Sequence, residues 1–421
     1  MKIIKGRKIR DLQSKARHGD VNAMHELSYC YYNGKGVKEN PRMANYWALQ
    51  AAKLGHVYSQ YNVGISYYNG WGIKEDEKEA LKWFKKAAQG GDTDAGYYVG
   101  RAYYFGEGTR VNLRRAVVHF RKASREGHVK ASSRLGYMYD EGLGVKKDYK
   151  RAAGLYLKAA KKSDVEAQYD LDQCYEKGLG VKKDLARSVF WYTKAAVQGD
   201  MYSQCNLGVC YADGDGVNQD YKKALHWFKK AAVQGDSLGQ YNLARAYYEG
   251  EGIKINYRKA YHWFKEAAKD NHAGSMYYLG EQYFEGQGVR KSIQRGLAWY
   301  KKASDSGYAQ AHCILGVIYH NGKYVKRNYK LSVKYYRLAV AKNDGTALTN
   351  LGRCYLDGHG VKQNYQKAFV HFKRAALLGD EEGQYYLGCC YKKGQGTAKN
   401  KRLALKWLSL AGRLICPTTK N

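Results

Sequence analysis

The chain has 421 residues and a formal net charge of +34, with 72 lysines and arginines against 38 aspartates and glutamates. Its hydrophobic content of 44% excludes a chain that is disordered for want of core-forming residues. Only two prolines occur, Pro41 and Pro417, which favours a chain that is helical almost throughout.

The first twenty residues contain no apolar run of the length that a signal peptide needs. No later stretch approaches the roughly 18 apolar residues of a membrane-spanning helix. We therefore expect a soluble, cytoplasmic protein. Delivery by a dedicated secretion system would leave no mark that can be read in the sequence.

From residue 21 onward the sequence repeats every 36 residues. Gly34 recurs as glycine at this spacing through to Gly394, and no insertion interrupts the eleven copies. Tyr31 and Ala51 recur in every copy, and Leu27 recurs as leucine or valine. Eleven copies in register predict a repeat protein, in which neighbouring units stack to bury a continuous core.

Each copy is predicted to form two helices, here called helix A and helix B. In the sixth copy, helix A carries Leu207 on its apolar stripe and ends at Gly214, which can adopt the left-handed conformation that terminates helices. Asp220 then stands at the expected N-cap of helix B. Small residues, Gly208 on helix A and Ala231 on helix B, predict a close approach of the two helices.

The second copy reads SQYNVGISYYNGWGIKEDEKEALKWFKKAAQGGD and resembles the Sel1-like repeat, a relative of the tetratricopeptide repeat. The likeness extends over about residues 23–412. It implies an all-α fold, a right-handed α/α superhelical solenoid of eleven 36-residue helix-turn-helix repeats, with helix A on the inner surface and helix B on the outer. Residues 1–20 are expected to form an N-terminal capping half repeat, residues 21–412 the solenoid and residues 413–421 a short tail.

The resemblance implies adaptor work, so we expect a scaffold that holds segments of partner proteins in its groove. The sequence contains no GxxxxGK[ST] phosphate loop, no HExxH zinc motif and no GxSxG nucleophile elbow. Twelve histidines are scattered singly, without recurring acidic or cysteine neighbours. We therefore expect no enzymatic activity, no cofactor and no metal site.

Partner-binding residues are expected on the groove side of helix A, near its core leucine and near its end, as in the related tetratricopeptide fold. Tyrosine and arginine dominate binding hot spots because they give large contact areas and hydrogen bonds at low entropic cost. Those that vary between copies are explained least well by the demands of the scaffold. The predicted site therefore consists of Tyr68, Arg101, Tyr104, Arg245 and Tyr248.

The positive charge concentrates in columns of the loops and of helix B, which include Lys85, Lys229, Lys265 and Lys301. The alternative function is therefore binding of a polyanion, either nucleic acid or an anionic membrane, by the outer face. A solubilising role for these lysines is the simpler interpretation. It is favoured because surfaces that bind nucleic acids usually interleave cations with exposed aromatic residues.

Eight of the nine cysteines lie on helix A, and none lies on helix B. Stacked helices stand roughly 8–10 Å apart, which exceeds the Cα separation that a disulfide allows. We expect all nine to be free thiols, most of them acting as small core residues in a reducing compartment.

Asp172 departs from the repeat, because it stands where eight other copies have glycine. An unpaired carboxylate at this tight helix contact would be costly. We expect the fifth repeat to open slightly so that the carboxylate reaches solvent, with pairing to a neighbouring cation as the alternative.

Overall fold

The computed structural model describes residues 2–412, and the predicted tail at 413–421 lies outside them. This part of the chain forms twenty-three α-helices and no strand, so the predicted all-α repeat fold is confirmed. Helix α1 spans Lys2–Arg17. The helices A are α2 Val21–Asn33, α4 Val57–Asn69, α6 Thr93–Phe105, α8 Val129–Glu141, α10 Val165–Lys177, α12 Met201–Asp213, α14 Ser237–Glu249, α16 Ala273–Glu285, α18 Ala309–Asn321, α20 Gly345–Asp357 and α22 Glu381–Lys393. The helices B are α3 Pro41–Lys53, α5 Glu77–Gln89, α7 Leu113–Arg125, α9 Tyr149–Ala160, α11 Leu185–Val197, α13 Tyr221–Val233, α15 Tyr257–Lys269, α17 Ile293–Asp305, α19 Tyr329–Val340, α21 Tyr365–Leu377 and α23 Lys401–Leu410.

The chain divides into two compact units, Met1–Asn218 and Gln219–Asn421. Unit 1 holds α1 to α12, and unit 2 holds α13 to α23. Within each unit every helix packs against the helix before it and the helix after it, as expected for repeats that contact only their neighbours. Helix α1 packs against α2, which is where a capping half repeat should lie; its capping role remains a prediction.

The helix ends follow the predicted signals. Gly34 and its equivalents close the helices A in the left-handed conformation; Gly34, for example, has φ 63°. Asp220 caps α13, because its carboxylate accepts a hydrogen bond from the backbone N–H of Lys223 at 3.0 Å. The N-cap position of the helices B is otherwise asparagine or aspartate, and Ser292, the one exception, still caps α17.

Two positions of the repeat contribute to the core. Leu27 and its ten equivalents are all buried, and Ala51 and its equivalents through Ala375 are almost inaccessible. A third position, usually glycine on helix A, packs against an aromatic ring of helix B in the same repeat. A Cβ on Gly100 would lie 2.7 Å from Cδ1 of Phe120. The close approach predicted from small residues is therefore confirmed, and its partner is an aromatic ring.

The second glycine of the A–B loops, which only the ninth repeat replaces, with Tyr324, fixes a different contact. A Cβ on Gly144 would lie 2.5 Å from the carbonyl carbon of Leu113, the first residue of the helix B of the preceding repeat. In the same way, a Cβ on Gly252 would lie 2.7 Å from the carbonyl carbon of Tyr221, the first residue of α13. In these repeats the loop therefore packs directly on the backbone where the preceding helix B begins.

The cysteines agree with the prediction except at one position. Cys30, Cys174, Cys205, Cys210, Cys313, Cys354 and Cys390 are free thiols, and all but Cys210 are buried. Cys389 is disulfide-bonded, so the expectation of nine free thiols is wrong. That expectation weighed only pairs within the repeats, whereas Cys416 follows the last repeat and lies outside the described residues.

The expectation for Asp172 is also wrong. Its side chain is fully buried, with no exposed surface, and it does not reach solvent. Its Oδ1 accepts a hydrogen bond from the neutral amide of Gln173 at 3.2 Å, and no cation among residues 2–412 forms an ion pair with it, so the alternative fails as well. Burial raises the pKa of Asp172 to about 10, so the carboxyl is protonated and neutral at physiological pH.

No helix among residues 2–412 combines the length and the apolar character needed to cross a bilayer.

Candidate partner-binding surface

Three of the predicted site residues lie in unit 1, and two of them, Tyr68 and Arg101, are in contact. The guanidinium of Arg101 lies 5.0 Å from the ring centroid of Tyr68 and forms an ion pair with Glu107 at 3.0 Å. The hydroxyl of Tyr68 donates to the same Oε1 of Glu107 at 3.1 Å. Burial raises the pKa of Tyr68, so the phenol remains a donor. Residues from helices α4 and α6 are thus held together by one carboxylate.

Tyr104 lies one turn further along α6 and extends this cluster toward the fourth repeat. Its ring is 4.7 Å from Phe105 and 6.5 Å from Phe120, and the guanidinium of Arg134 on α8 lies 5.9 Å from its centroid. The ring of Tyr104 is half-buried. The helix-A side of repeats two to four therefore presents alternating aromatic rings and guanidinium groups.

A cavity of about 530 Å³ opens beside this cluster, on the helix-A side of the first two repeats. We call it the tyrosine cavity. Tyr29, Tyr32 and Tyr58 line it, and about half of each side chain is exposed. Asn33, Asn62 and Asn69 add amide groups to the lining, which contains no charged residue. An uncharged lining is unusual in a chain whose net charge is +34.

Tyr98 joins the tyrosine cavity to the Arg101 cluster. Its side chain lines the cavity. The Tyr98 ring lies 6.0 Å from Tyr61 and 5.8 Å from Tyr68, and it stacks on Phe84 at 4.8 Å. The cavity, Tyr98 and the Arg101 cluster form one continuous surface, here called the unit 1 surface.

Sequence reasoning missed several of these residues. Tyr98 and Asn62 occupy the column directly before the core leucine, which was not assigned to the groove. That column contains glutamate, asparagine, tyrosine, arginine, aspartate and isoleucine in different copies. Such variation in an otherwise regular repeat is the signal that could have identified it.

The other two predicted residues lie in unit 2. Arg245 forms two hydrogen bonds with Glu249, at 3.2 and 2.8 Å, and Glu249 also accepts from the hydroxyl of Tyr278 at 3.2 Å. The hydrogen bond to Glu249 raises the pKa of Arg245. The ring of Tyr248 lies 5.2 Å from Tyr278. These residues form a second cluster, so the five predicted residues are divided between the two units.

The four predicted polyanion-binding lysines differ in their surroundings. Lys229, Lys265 and Lys301 are exposed on helices B of unit 2, and the structure records no ion pair for them within residues 2–412. Lys85 is half-buried, with its Nζ 5.2 Å from the ring centroid of Tyr103 in the next repeat. Burial acts to raise the pKa of Tyr103, but hydrogen bonds from Lys85 and Arg115 lower it overall. Lys85 therefore contributes to the contact between two repeats.

The described residues include no group of three or more histidine, cysteine, aspartate or glutamate side chains placed to hold a metal ion.

Comparisons with known proteins agree with the repeat seen in the sequence. The Sel1 repeat pattern matches residues 21–56, 57–92, 93–128, 129–164, 165–200, 202–236, 237–272, 273–308, 309–344, 345–380 and 381–414. No curated protein sequence matches the chain significantly.

Among the solved structures that resemble the chain are two that cover most of it. A protective antigen of uropathogenic Escherichia coli strains that displays an SLR fold is 33% identical, with a TM-score of 0.84, over 96% of this chain and 86% of that chain. A Sel1 repeat protein from Oxalobacter formigenes is 27% identical, with a TM-score of 0.56, over 73% of this chain and 89% of that chain.

Proposed function

Because the chain belongs to the Sel1 repeat family, we propose that it is a protein-binding scaffold that holds an extended segment of a partner protein against its helices A. The observation that carries this proposal is the unit 1 surface, where exposed tyrosines and amides line an open cavity and the Arg101 cluster lies beside it. Solenoids commonly bind partners along such a face.

The chemistry of the tyrosine cavity suits a peptide backbone. An asparagine side chain both donates and accepts hydrogen bonds, so Asn33, Asn62 and Asn69 can pair with the N–H and C=O groups of an extended chain. Tyr29 and Tyr32 offer ring surface with few rotatable bonds, which keeps the entropic cost of binding low. With no charge in the lining, the segment bound here should be uncharged.

Selection from a displayed library of random dodecapeptides, with the intact chain as bait, tests this proposal directly. The expected result is enrichment of peptides whose affinities can then be measured by isothermal titration calorimetry. If no peptide is enriched over selection against an unrelated helical protein, the protein-binding proposal fails.

Alanine in place of Arg101 and Tyr104 is expected to weaken binding of a selected peptide, with each hot-spot side chain contributing about 2 kcal/mol. The variant Arg245→Ala/Tyr248→Ala tests the cluster of unit 2 separately. The control variant Tyr46→Ala/Arg114→Ala removes the same residue types from exposed positions on helices B of unit 1. Equal losses in the control and in the Arg101/Tyr104 variant would show that the effect does not come from the helix-A side.

Reversing the exposed charges Lys229, Lys265 and Lys301 to glutamate separates the proposed function from polyanion binding. Binding of a selected peptide is expected to stay within about twofold of the parent value, because these lysines lie on helices B. Lys85 is left unchanged because it packs on Tyr103. If the parent instead binds nucleic acid with an affinity that falls steeply with salt, and this variant does not bind it, the outer face becomes the functional surface.

A further inference from the structure

The fifth repeat replaces the usual contact between its helices with a polar one. In the fourth repeat, Gly136 leaves room for the ring of Tyr156, and a Cβ on this glycine would lie 2.8 Å from Cδ1 of that ring. The hydroxyl of Tyr156 is buried without a hydrogen-bond partner. In the fifth repeat the corresponding residues are Asp172 and Tyr192, and the carboxyl of Asp172 stands where the glycine leaves space.

Tyr192 is the centre of a hydrogen-bond network that joins α10, α11 and α12. Its hydroxyl donates to Oε2 of Glu176 at 3.1 Å and accepts from Gln173 at 2.6 Å and from Asn206 at 3.3 Å. The amide of Gln173 also donates to Oδ1 of Asp172 at 3.2 Å. Oδ2 of Asp172 is buried and has no hydrogen-bond partner.

This network borders a cavity of about 350 Å³ in unit 1, here called the acidic cavity. Gln173, Glu176, Tyr192, Asn206 and Asp215 are among the residues that line it. Lys177 is the one positively charged residue of the lining. The charged residues of the lining are therefore two acids, Glu176 and Asp215, and one base, which leaves a net negative charge in a strongly basic chain.

We propose that the acidic cavity is a subsite for a cationic side chain, specifically the guanidinium of an arginine in the bound segment. The proposal rests on the proposed function, because the partner segment supplies the arginine. A guanidinium carries five N–H donors and no acceptor, which complements the carboxylates of Glu176 and Asp215 and the side-chain oxygens of Gln173 and Asn206. The planar donor fork of arginine also matches a carboxylate better than the ammonium of lysine does.

The subsite complements the tyrosine cavity, which has no charged lining. Both openings lie in unit 1, the tyrosine cavity on repeats one and two and the acidic cavity on repeats five and six. A segment with an uncharged stretch and a separate arginine would therefore bind in only one register. The charged lining of the acidic cavity thus adds specificity to a surface that otherwise contacts the backbone of the bound segment.

The probe for the test is the peptide acetyl-Gly-Arg-Gly-amide, with acetyl-Gly-citrulline-Gly-amide as its uncharged match. Titration of the full chain, followed by NMR, is expected to give a dissociation constant of about 1 mM or lower for the arginine peptide. The citrulline peptide should bind at least about tenfold more weakly, since its neutral urea group cannot form an ion pair with the carboxylates of Glu176 and Asp215. The variant Glu176→Gln/Asp215→Asn should lose this preference, whereas Glu285→Gln, an exposed carboxylate at the end of α16, should keep it.

The variant Asp172→Gly gives a result that simple misfolding cannot imitate. Restoring the glycine lets the ring of Tyr192 take the position that Tyr156 has in the fourth repeat, where the hydroxyl has no hydrogen-bond partner. The hydrogen bonds of Tyr192 with Gln173, Glu176 and Asn206, which hold the lining of the acidic cavity in place, would then be lost. The variant should melt at a higher temperature than the parent and at the same time lose binding of the arginine peptide.

The proposal is overturned if both peptides bind equally, if the Glu176/Asp215 variant keeps the preference, or if no binding occurs up to about 10 mM. These outcomes are separate from failure of the proposed function. If the arginine peptide binds through Glu176 but the dodecapeptide selection yields nothing, the subsite stands and the scaffold proposal falls.

Discussion

Alanine in place of Gly100 is expected to lower the free energy of unfolding by about 3 kcal/mol, although it adds only one methyl group. The new Cβ would lie 2.7 and 2.8 Å from two ring carbons of Phe120. Phe120 is 1% exposed and is enclosed by the core of unit 1, so its ring cannot move away without opening the contact between α6 and α7. Urea unfolding followed by far-ultraviolet circular dichroism measures the loss.

Gly96 provides the matched control because it lies in the same helix, α6. A Cβ there would meet only the Cβ of Ala123, at 3.9 Å, which is an ordinary contact. Gly96→Ala should therefore stabilise the chain by up to about 1 kcal/mol, through the higher helix propensity of alanine. If both substitutions destabilise the chain to the same extent, the ring contact is not the cause.

The variant Asp172→Asn is expected to become increasingly more stable than the parent as the pH rises. Burial raises the pKa of Asp172 in the folded chain to about 10, above the ordinary value of 3.8 for an aspartate. Its contribution to stability is thus fully present below about pH 4 and is lost progressively as the pH rises toward 10. Asparagine does not titrate, so the difference between the two proteins isolates this carboxyl.

The difference in the free energy of unfolding should change by on the order of 1 kcal/mol per pH unit between pH 5 and 9. Urea titrations of both proteins at several pH values within this range measure it. A difference that does not depend on pH would mean that Asp172 is ionised in the folded chain, against the burial seen here.

The repeat allowed most of the fold to be predicted from the sequence. The positions of Leu27 and Ala51 recur in all eleven copies, so each copy is independent evidence that the position is buried. The caps were predictable for a physical reason, because Asp220 and Gly214 satisfy backbone groups whatever the rest of the chain does. When the same caps and buried positions recur every 36 residues, few folds other than a helical repeat are compatible with the sequence.

The candidate site was predicted only in part, because it depends on residues that differ between copies. Tyr68 and Arg101 do contact each other, but Tyr98, which links them to the tyrosine cavity, was missed. Asp172 was recognised as exceptional, yet its neutral, buried state could not be predicted. That state depends on Gln173 and Tyr192, whose side-chain directions are set by packing between α10 and α11.

The loop glycines that rest on the preceding helix B have a consequence for the gene. A loop lengthened by one residue could no longer place its glycine against the first residue of that helix, as Gly144 does against Leu113. Insertions and deletions within a repeat are therefore selected against, whereas duplication of a whole unit preserves every contact. The uninterrupted spacing of 36 residues is what recombination between in-frame units of 36 codons would leave behind. The array can lengthen or shorten over evolutionary time only in whole steps.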